Sequence, residues 1–202
     1  MKRALVLGSC TFQQPGARVG IQFIAQGLSE NGYSVDYVSQ PSSIFDRFSP
    51  ERRWRYDKAW ASILSPFEIS PTLREFVFRS PFPMRPLLLR WSWQLGLYRY
   101  MAPSFISNTS YDLCVNDTSS AFMFGPMVQS PIRILRYNDK IDGFGERISS
   151  VLINEFHRQL KEGCYADVWA VSDGLRDHAL SLSPRTKAMT IPNGVEVSRY
   201  VA

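Results

Sequence analysis

Residues 131–143 read PIRILRYNDKIDG, and this stretch sets the reading of the whole chain. Ile132, Ile134 and Leu135 form a short apolar run that Asn138-Asp139 closes. A short apolar run closed by turn-forming residues is the pattern of a buried strand. Its carboxyl end would carry a carboxylate to the rim of a sheet, which is where open α/β sheets hold their ligands. Asp139 is therefore the first candidate functional residue. Asp142, followed by Gly143, competes for the same role.

Strand and helix patterns alternate on both sides of that stretch. Downstream, residues 146–163 place Ile148, Val151, Leu152, Phe156 and Leu160 on one face of an amphipathic helix, with Gly163 just past its end. A strand over 167–172, a helix over 174–182 with Asp173 as its cap, and a strand over 187–191 follow, before the turn Pro192-Asn193-Gly194. Upstream, YDLCVN at 111–116 reads as a strand. Residues 118–128 read as a helix capped by Asp117 or Thr118. At the start, the apolar run 4–7 predicts a central strand. A loop with Pro15, Gly16 and Gly20 leads into a helix that ends at Asn31-Gly32, and residues 33–39 alternate as a second strand. The alternation predicts an α/β, Rossmann-like parallel sheet with helices on both faces.

The middle breaks the rhythm. Residues 40–109 hold eight of the 13 prolines and four of the five tryptophans. They read as an insertion, at about 41–109, of two or three helices that include 50–64 and 86–100. The single domain would span 1–202. Between Arg47 and Arg99 lie ten basic and four acidic residues, a local charge of +6, while the rest of the chain has 13 basic against 14 acidic. Such an excess points to an anionic partner of one face. In Arg52-Arg53-Trp54-Arg55 and again in Arg90-Trp91-Ser92-Trp93, cations and aromatics interleave. That mixture suits the interfacial zone of an anionic membrane. It also suits a helical subdomain with buried tryptophans and snorkelling arginines. No nucleic-acid recognition motif accompanies the charge.

Several chemistries lack their marks. Cys10, Cys114 and Cys164 have no metal-ligand spacing, and His157 and His178 add none, so no metal is expected. Buried thiols of a protein in a reducing compartment are the simplest reading of the cysteines. Gly8, Gly16 and Gly20 are not spaced as a dinucleotide fingerprint or a phosphate-binding P-loop. No G-x-S-x-G supports a serine triad. No signal peptide and no charge-free window of membrane-spanning length occur. Loops after first strands face the ligand crevice, so residues 9–20 are a candidate binding loop, or else a plain connection. Asp139 itself reads equally as a general base or as a turn cap.

GARVGIQFIAQGLSENG, YSVDYVS, ADVWAVSDGL and IPNGVEV, in that order, resemble the N-terminal half of a two-domain GT-B glycosyltransferase. More narrowly, YDLCVNDTSSAF, RILRYND, INEFHRQ and ADVWAVSDGL are similar to the membrane-associated glucuronosyltransferases of xanthan-type exopolysaccharide synthesis. The resemblance implies an inverting transfer with Asp139 as the base that activates the acceptor hydroxyl. It implies Gly16, Gly20, Gln22 and Asn138 as acceptor-side contacts; Gln22 stands where relatives tend to carry histidine. It further implies a nucleotide-sugar donor, UDP-linked, held by a C-terminal domain of the same full-length protein, and no other cofactor. The 202 residues alone would be inactive. The acceptor would be a lipid-diphosphate-linked oligosaccharide at the inner face of the cell membrane. Arg52, Arg53, Trp54, Arg55, Arg90, Trp91 and Trp93 would meet that surface. A retaining GT-B hexosyltransferase and a non-catalytic Rossmann-like binding module are the alternatives.

Overall fold

The computed structural model describes residues 1–8, 10–12, 20–39, 42–50, 53, 56–57, 66–77, 79–80, 92–118, 120–140 and 149–193. Gly16, Arg52, Trp54, Arg55, Arg90, Trp91, Asp142 and most of the helix expected over 50–64 lie outside the described residues.

Eight strands form one sheet: β1 (Lys2–Leu7), β2 (Tyr33–Val38), β4 (Phe67–Ser70), β5 (Leu73–Phe76), β7 (Leu113–Asp117), β8 (Arg133–Tyr137), β9 (Asp167–Ala170) and β10 (Lys187–Thr190). Their spatial order is β10-β9-β8-β7-β1-β2-β5-β4. Every neighbouring pair is parallel except the hairpin β4–β5. A short parallel pair joins β3 (Ser42–Ser43) to β6 (Arg79–Ser80). The five α-helices described are α1 (Gly20–Glu30), α2 (Ser92–Tyr100), α3 (Ser104–Asn108), α4 (Ser150–Lys161) and α5 (Asp173–Leu182).

Side chains alternate across a strand, so each strand feeds two cores. Leu5, Leu7, Cys114, Leu135 and Tyr137 pack with Leu95 and Tyr98 of α2, Ile106 of α3, Leu152, Phe156 and Leu160 of α4, and Ala179 of α5. Ala4, Val6, Val35, Tyr37, Val115 and Ile134 pack on the opposite face with Ile21 and Ala25 of α1. Phe156 is fully buried, with Phe122 and Tyr137 at ring-centroid distances of 5.9 and 5.2 Å. Truncating it to alanine would cost about 3–5 kcal/mol. Burial also raises the Cys114 thiol to about 12, so it packs as an apolar group.

Local chemistry ends the helices where the sequence indicates. Gly32 and Gly163 adopt positive φ, 84° and 69°, just after α1 and α4. A side chain would be strained there. Ser149 Oγ accepts from Val151 N–H at the start of α4. Ser172, not Asp173, caps α5, and Asp173 instead accepts from Arg176 and from the Thr190 hydroxyl.

Two regions depart from expectation. Residues 120–127 form a 3-10 helix, Ser120–Met127, in place of an α-helix. Pro126 lacks the N–H that an α-helical turn needs. A side chain on Gly125 would come within 2.5 Å of Asn116 Nδ2 and 3.0 Å of Tyr165 Oη, so the backbone must pass close there. The middle is not wholly helical either, because β4 and β5 extend the main sheet beyond β2. Asp36 of β2 fixes that extension. It takes Arg74 of β5 at 2.5 Å, Arg3 of β1 at 3.3 Å and the Tyr111 hydroxyl at 2.9 Å.

Candidate functional site at the carboxyl edge of the sheet

The parallel strands β1, β2, β7, β8 and β9 all end on one edge, and the residues just past those ends face it. After β1 the chain turns at Gly8, whose N–H bonds to Val38 O. A β-carbon on Gly8 would collide with the Tyr37 ring. Tyr37 Oη donates to Cys10 O at 2.5 Å, and Phe12 N–H donates to Glu75 Oε1 at 3.1 Å. Burial, with Glu75 close by, holds the Tyr37 phenol well above its ordinary pKa. The beginning of the candidate loop, at Cys10 and Phe12, is therefore anchored to β2 and to β5.

On the other side of β1, β7 and β8 end side by side. Asp117 and Arg136 are register partners on the α1 face. Thr118 N–H donates to Arg136 O at 3.1 Å, and Asn138 N–H to Thr118 Oγ1 at 3.0 Å. Asn138 Nδ2 donates to Asp117 Oδ1. Asn138 Oδ1 is buried and, among the described residues, has no hydrogen-bond partner. Asp139 stands just past the carboxyl end of β8 and is exposed. A carboxylate so placed is accessible from solvent at that edge.

Arg136 was not among the site residues expected from sequence. It is 5% exposed, and its Nη2 donates to Asn193 Oδ1 of the turn after β10. Gly20, the first residue of α1, lies against its guanidinium; a β-carbon there would come within 2.6 Å of Arg136 Cζ. Burial lowers the pKa of Arg136, and the charge of Asp117 acts in the opposite direction. The one sequence signal was the R-x-x-D spacing, since β8 carries a second arginine, Arg133.

The structure thus brings Gly20, Asn138 and Asp139 to one edge. Gln22, in the first turn of α1, is 3% exposed, so its side chain is packed in the fold. Tyr137, immediately before Asn138, points to the other face, where its Oη and His178 Nδ1 are 2.8 Å apart. A hollow of about 620 Å³ lies at the opposite end of the sheet, lined by Gly163, Tyr165, Ala166, Ser183, Arg185 and Thr186 among others. It holds none of the expected site residues.

Among the basic and aromatic residues, Trp93 is 60% exposed on α2, and Arg53 is exposed. Tyr100 at the end of α2 and Phe45 and Phe48 of the 3-10 helix Ile44–Phe48 are exposed too. Asp46 accepts from Ser42 Oγ and the Ser43 N–H, which turns the acid inward and leaves both phenylalanines outward. The sequence reading, drawn to the tryptophans, passed over IFDRF. Two cations of the basic stretch are spent inside the fold: Arg74 on Asp36, and Arg99 on Glu155 and Met123 O. No helix of the described residues is long and apolar enough to cross a membrane.

Comparisons with known proteins bear on the fold. No family model matches the sequence, and no curated protein does. Among solved structures, the sucrose-phosphate synthase of Thermosynechococcus elongatus is similar, with TM-score 0.60 and 12% identity over 98% of this chain and 49% of that one. A second structure of the same synthase matches with TM-score 0.56 and 12% identity, over 98% of this chain and 92% of that one. The chain therefore spans about half the length of the first of these. The likeness is one of fold: an eight-stranded, mostly parallel, Rossmann-like α/β sheet.

Proposed function

We propose that this chain is the acceptor-side half of an inverting GT-B glycosyltransferase. Its acceptor would be a lipid-diphosphate-linked oligosaccharide and its donor a UDP sugar, with glucuronate favoured by the xanthan-type resemblance of RILRYND and ADVWAVSDGL. One observation carries the reading: on a glycosyltransferase fold, an exposed carboxylate, Asp139, stands past the carboxyl end of an inner parallel strand. Asp139 takes the proton of the acceptor hydroxyl. The freed oxygen lone pair forms the new bond to the anomeric carbon, and the bond from that carbon to the diphosphate breaks. The nucleoside diphosphate leaves with the electron pair. The donor sits in a second domain of the full-length protein, where helix ends and cations hold the departing charge.

The test is transfer of labelled sugar by the full-length protein. Asp139→Ala is expected to lower turnover by about 10²–10⁴-fold, the usual contribution of a general base. Unchanged turnover removes Asp139 from the mechanism, and an equal loss from Asp142→Ala alone moves the role to Asp142. Inverted anomeric configuration in the product, read by NMR, is the second requirement.

The acceptor reading places the domain peripherally on the cytoplasmic face of the membrane. The exposed Phe45, Phe48, Trp93 and Tyr100 and the basic excess support it. Binding to vesicles with anionic lipid should exceed binding to neutral vesicles and weaken in high salt. Equal binding to both would count against electrostatic docking.

A further inference from the structure

The ladder between β7 and β8 ends unlike its neighbours. At four other strand ends it goes on from main chain to main chain. Gly8 N–H donates to Val38 O at 2.9 Å, Ser39 N–H to Phe76 O at 3.1 Å, Val171 N–H to Tyr137 O at 3.1 Å and Ile191 N–H to Ala170 O at 2.7 Å. Between β7 and β8 the series runs from Cys114 N–H to Ile132 O at 2.9 Å and from Thr118 N–H to Arg136 O at 3.1 Å. In the slanted parallel pattern the next rung joins Asn138 N–H to the carbonyl of residue 118. The hydroxyl of Thr118 takes that rung instead, at 3.0 Å. Asp117, 2% exposed, holds Asn138 a second time by accepting from its side-chain amide.

This substitution falls one residue before Asp139. Tyr137 is held from β9 through its carbonyl, and Asn138 is held from β7 through its amide and its side chain. The Asp139 side chain is exposed, so packing does not hold it and the backbone on its amino side sets where it stands. We infer that Thr118 is a positioning residue for Asp139: its hydroxyl, backed by Asp117, fixes the corner from which the carboxylate leaves the sheet. The inference rests on the general-base role of Asp139 in the glycosyl-transfer reading and adds the group that sets the reach of that base. A base acts only within hydrogen-bond distance of the proton it takes, and a displacement of about 1 Å can cost about 10²-fold in rate. Thr118 accepts through a lone pair of its hydroxyl, so serine can replace it and valine, of nearly the same shape, cannot.

The test is sugar transfer by the full-length protein. Thr118→Val is expected to lower kcat by about tenfold to a hundredfold and to leave KM for the acceptor within about twofold, the pattern of a group that matters only in the transition state. Thr118→Ser should restore kcat. In an Asp139→Ala background Thr118→Val should cost nothing further, because a group that acts through the carboxylate has nothing left to act on. Circular dichroism and melting temperature check that the variants fold; where Thr118→Val does not, Thr118→Ala takes its place in both backgrounds. Unchanged kcat in Thr118→Val beside a large loss in Asp139→Ala overturns the positioning role and leaves the base in place. An equal loss from Thr118→Val in both backgrounds, or a Thr118→Ser as slow as Thr118→Val, overturns it as well, since each makes the effect one of packing. Full turnover in Asp139→Ala removes the base, and the positioning role falls with it.

Discussion

Glu155 and Arg136 occupy opposite faces of the same sheet, and each is a nearly sealed charge. Glu155 is 7% exposed and accepts from Arg99, from Arg158 at 2.8 and 2.9 Å, and from Gln159 at 2.8 Å. Gln159 Oε1 in turn accepts from Tyr165 Oη, and Asn116 Nδ2 donates to that phenol oxygen. The chain of bonds ties α2, α4, β7 and the approach to β9 together. Burial pushes the Glu155 carboxyl up, but the hydrogen bonds from Arg158 and Gln159 and the charge of Arg99 outweigh it and leave it at about 2. Among the described residues the Arg136 side chain makes one hydrogen bond, to Asn193, and burial lowers its pKa. A buried charge with its hydrogen bonds made, as at Glu155, ties the elements around it together.

Four measurements break or sharpen that contrast, in falling order of effect. Asp139→Ala in the full-length protein should lower turnover by about 10²–10⁴-fold with no change in melting temperature, because the side chain is exposed. Glu155→Ala should cost about 3 kcal/mol in denaturant-derived stability, since it strands two arginines and a buried amide. A neutral result would mean that the network does not hold the helices. The third is pH dependence. The Glu155 carboxyl is depressed in the folded state from an unfolded value of about 4.3. Its contribution is therefore complete above about pH 4.3 and is lost as pH falls toward 2. Denaturation midpoints between pH 5 and 2 should fall less steeply for Glu155→Gln than for the unaltered chain. The fourth is Arg136→Met, which should shift stability by less than about 1 kcal/mol, or raise it, because an apolar side chain of similar size spares the cost of burying the charge. A loss as large as that of Glu155→Ala would make Arg136 a structural residue.

Much of the fold was legible because its signals are local. The apolar runs at β1 and β8, the amphipathic stripe of α4, and Gly32 and Gly163 past their helices each act within one element. The hairpin β4–β5 was not, since FEIS and LREF are four residues each and mix charge with apolar side chains. Glu75 and Arg74 look like surface residues until their partners on β1's loop and β2 are in place. The 3-10 helix after β7 could have been suspected from Gly125-Pro126, whose chemistry opposes an α-helix. At the site, Asp139 could be read from its place after a strand. The burial of Arg136 could not, because an arginine in a strand is ordinarily a surface residue, and only neighbours distant in sequence bury it.

The sequence by itself determined the strand and helix alternation, the ends of α1 and α4, and a carboxylate at the end of β8, since backbone preference and hydrophobic period act over a few residues. Tertiary structure alone decided that Arg136 meets the start of α1 and a turn 57 residues away, and that Arg74 and Arg99 are paired inside the fold. Burial and pairing are properties of neighbours brought together across the sheet, and the linear order of residues does not carry them.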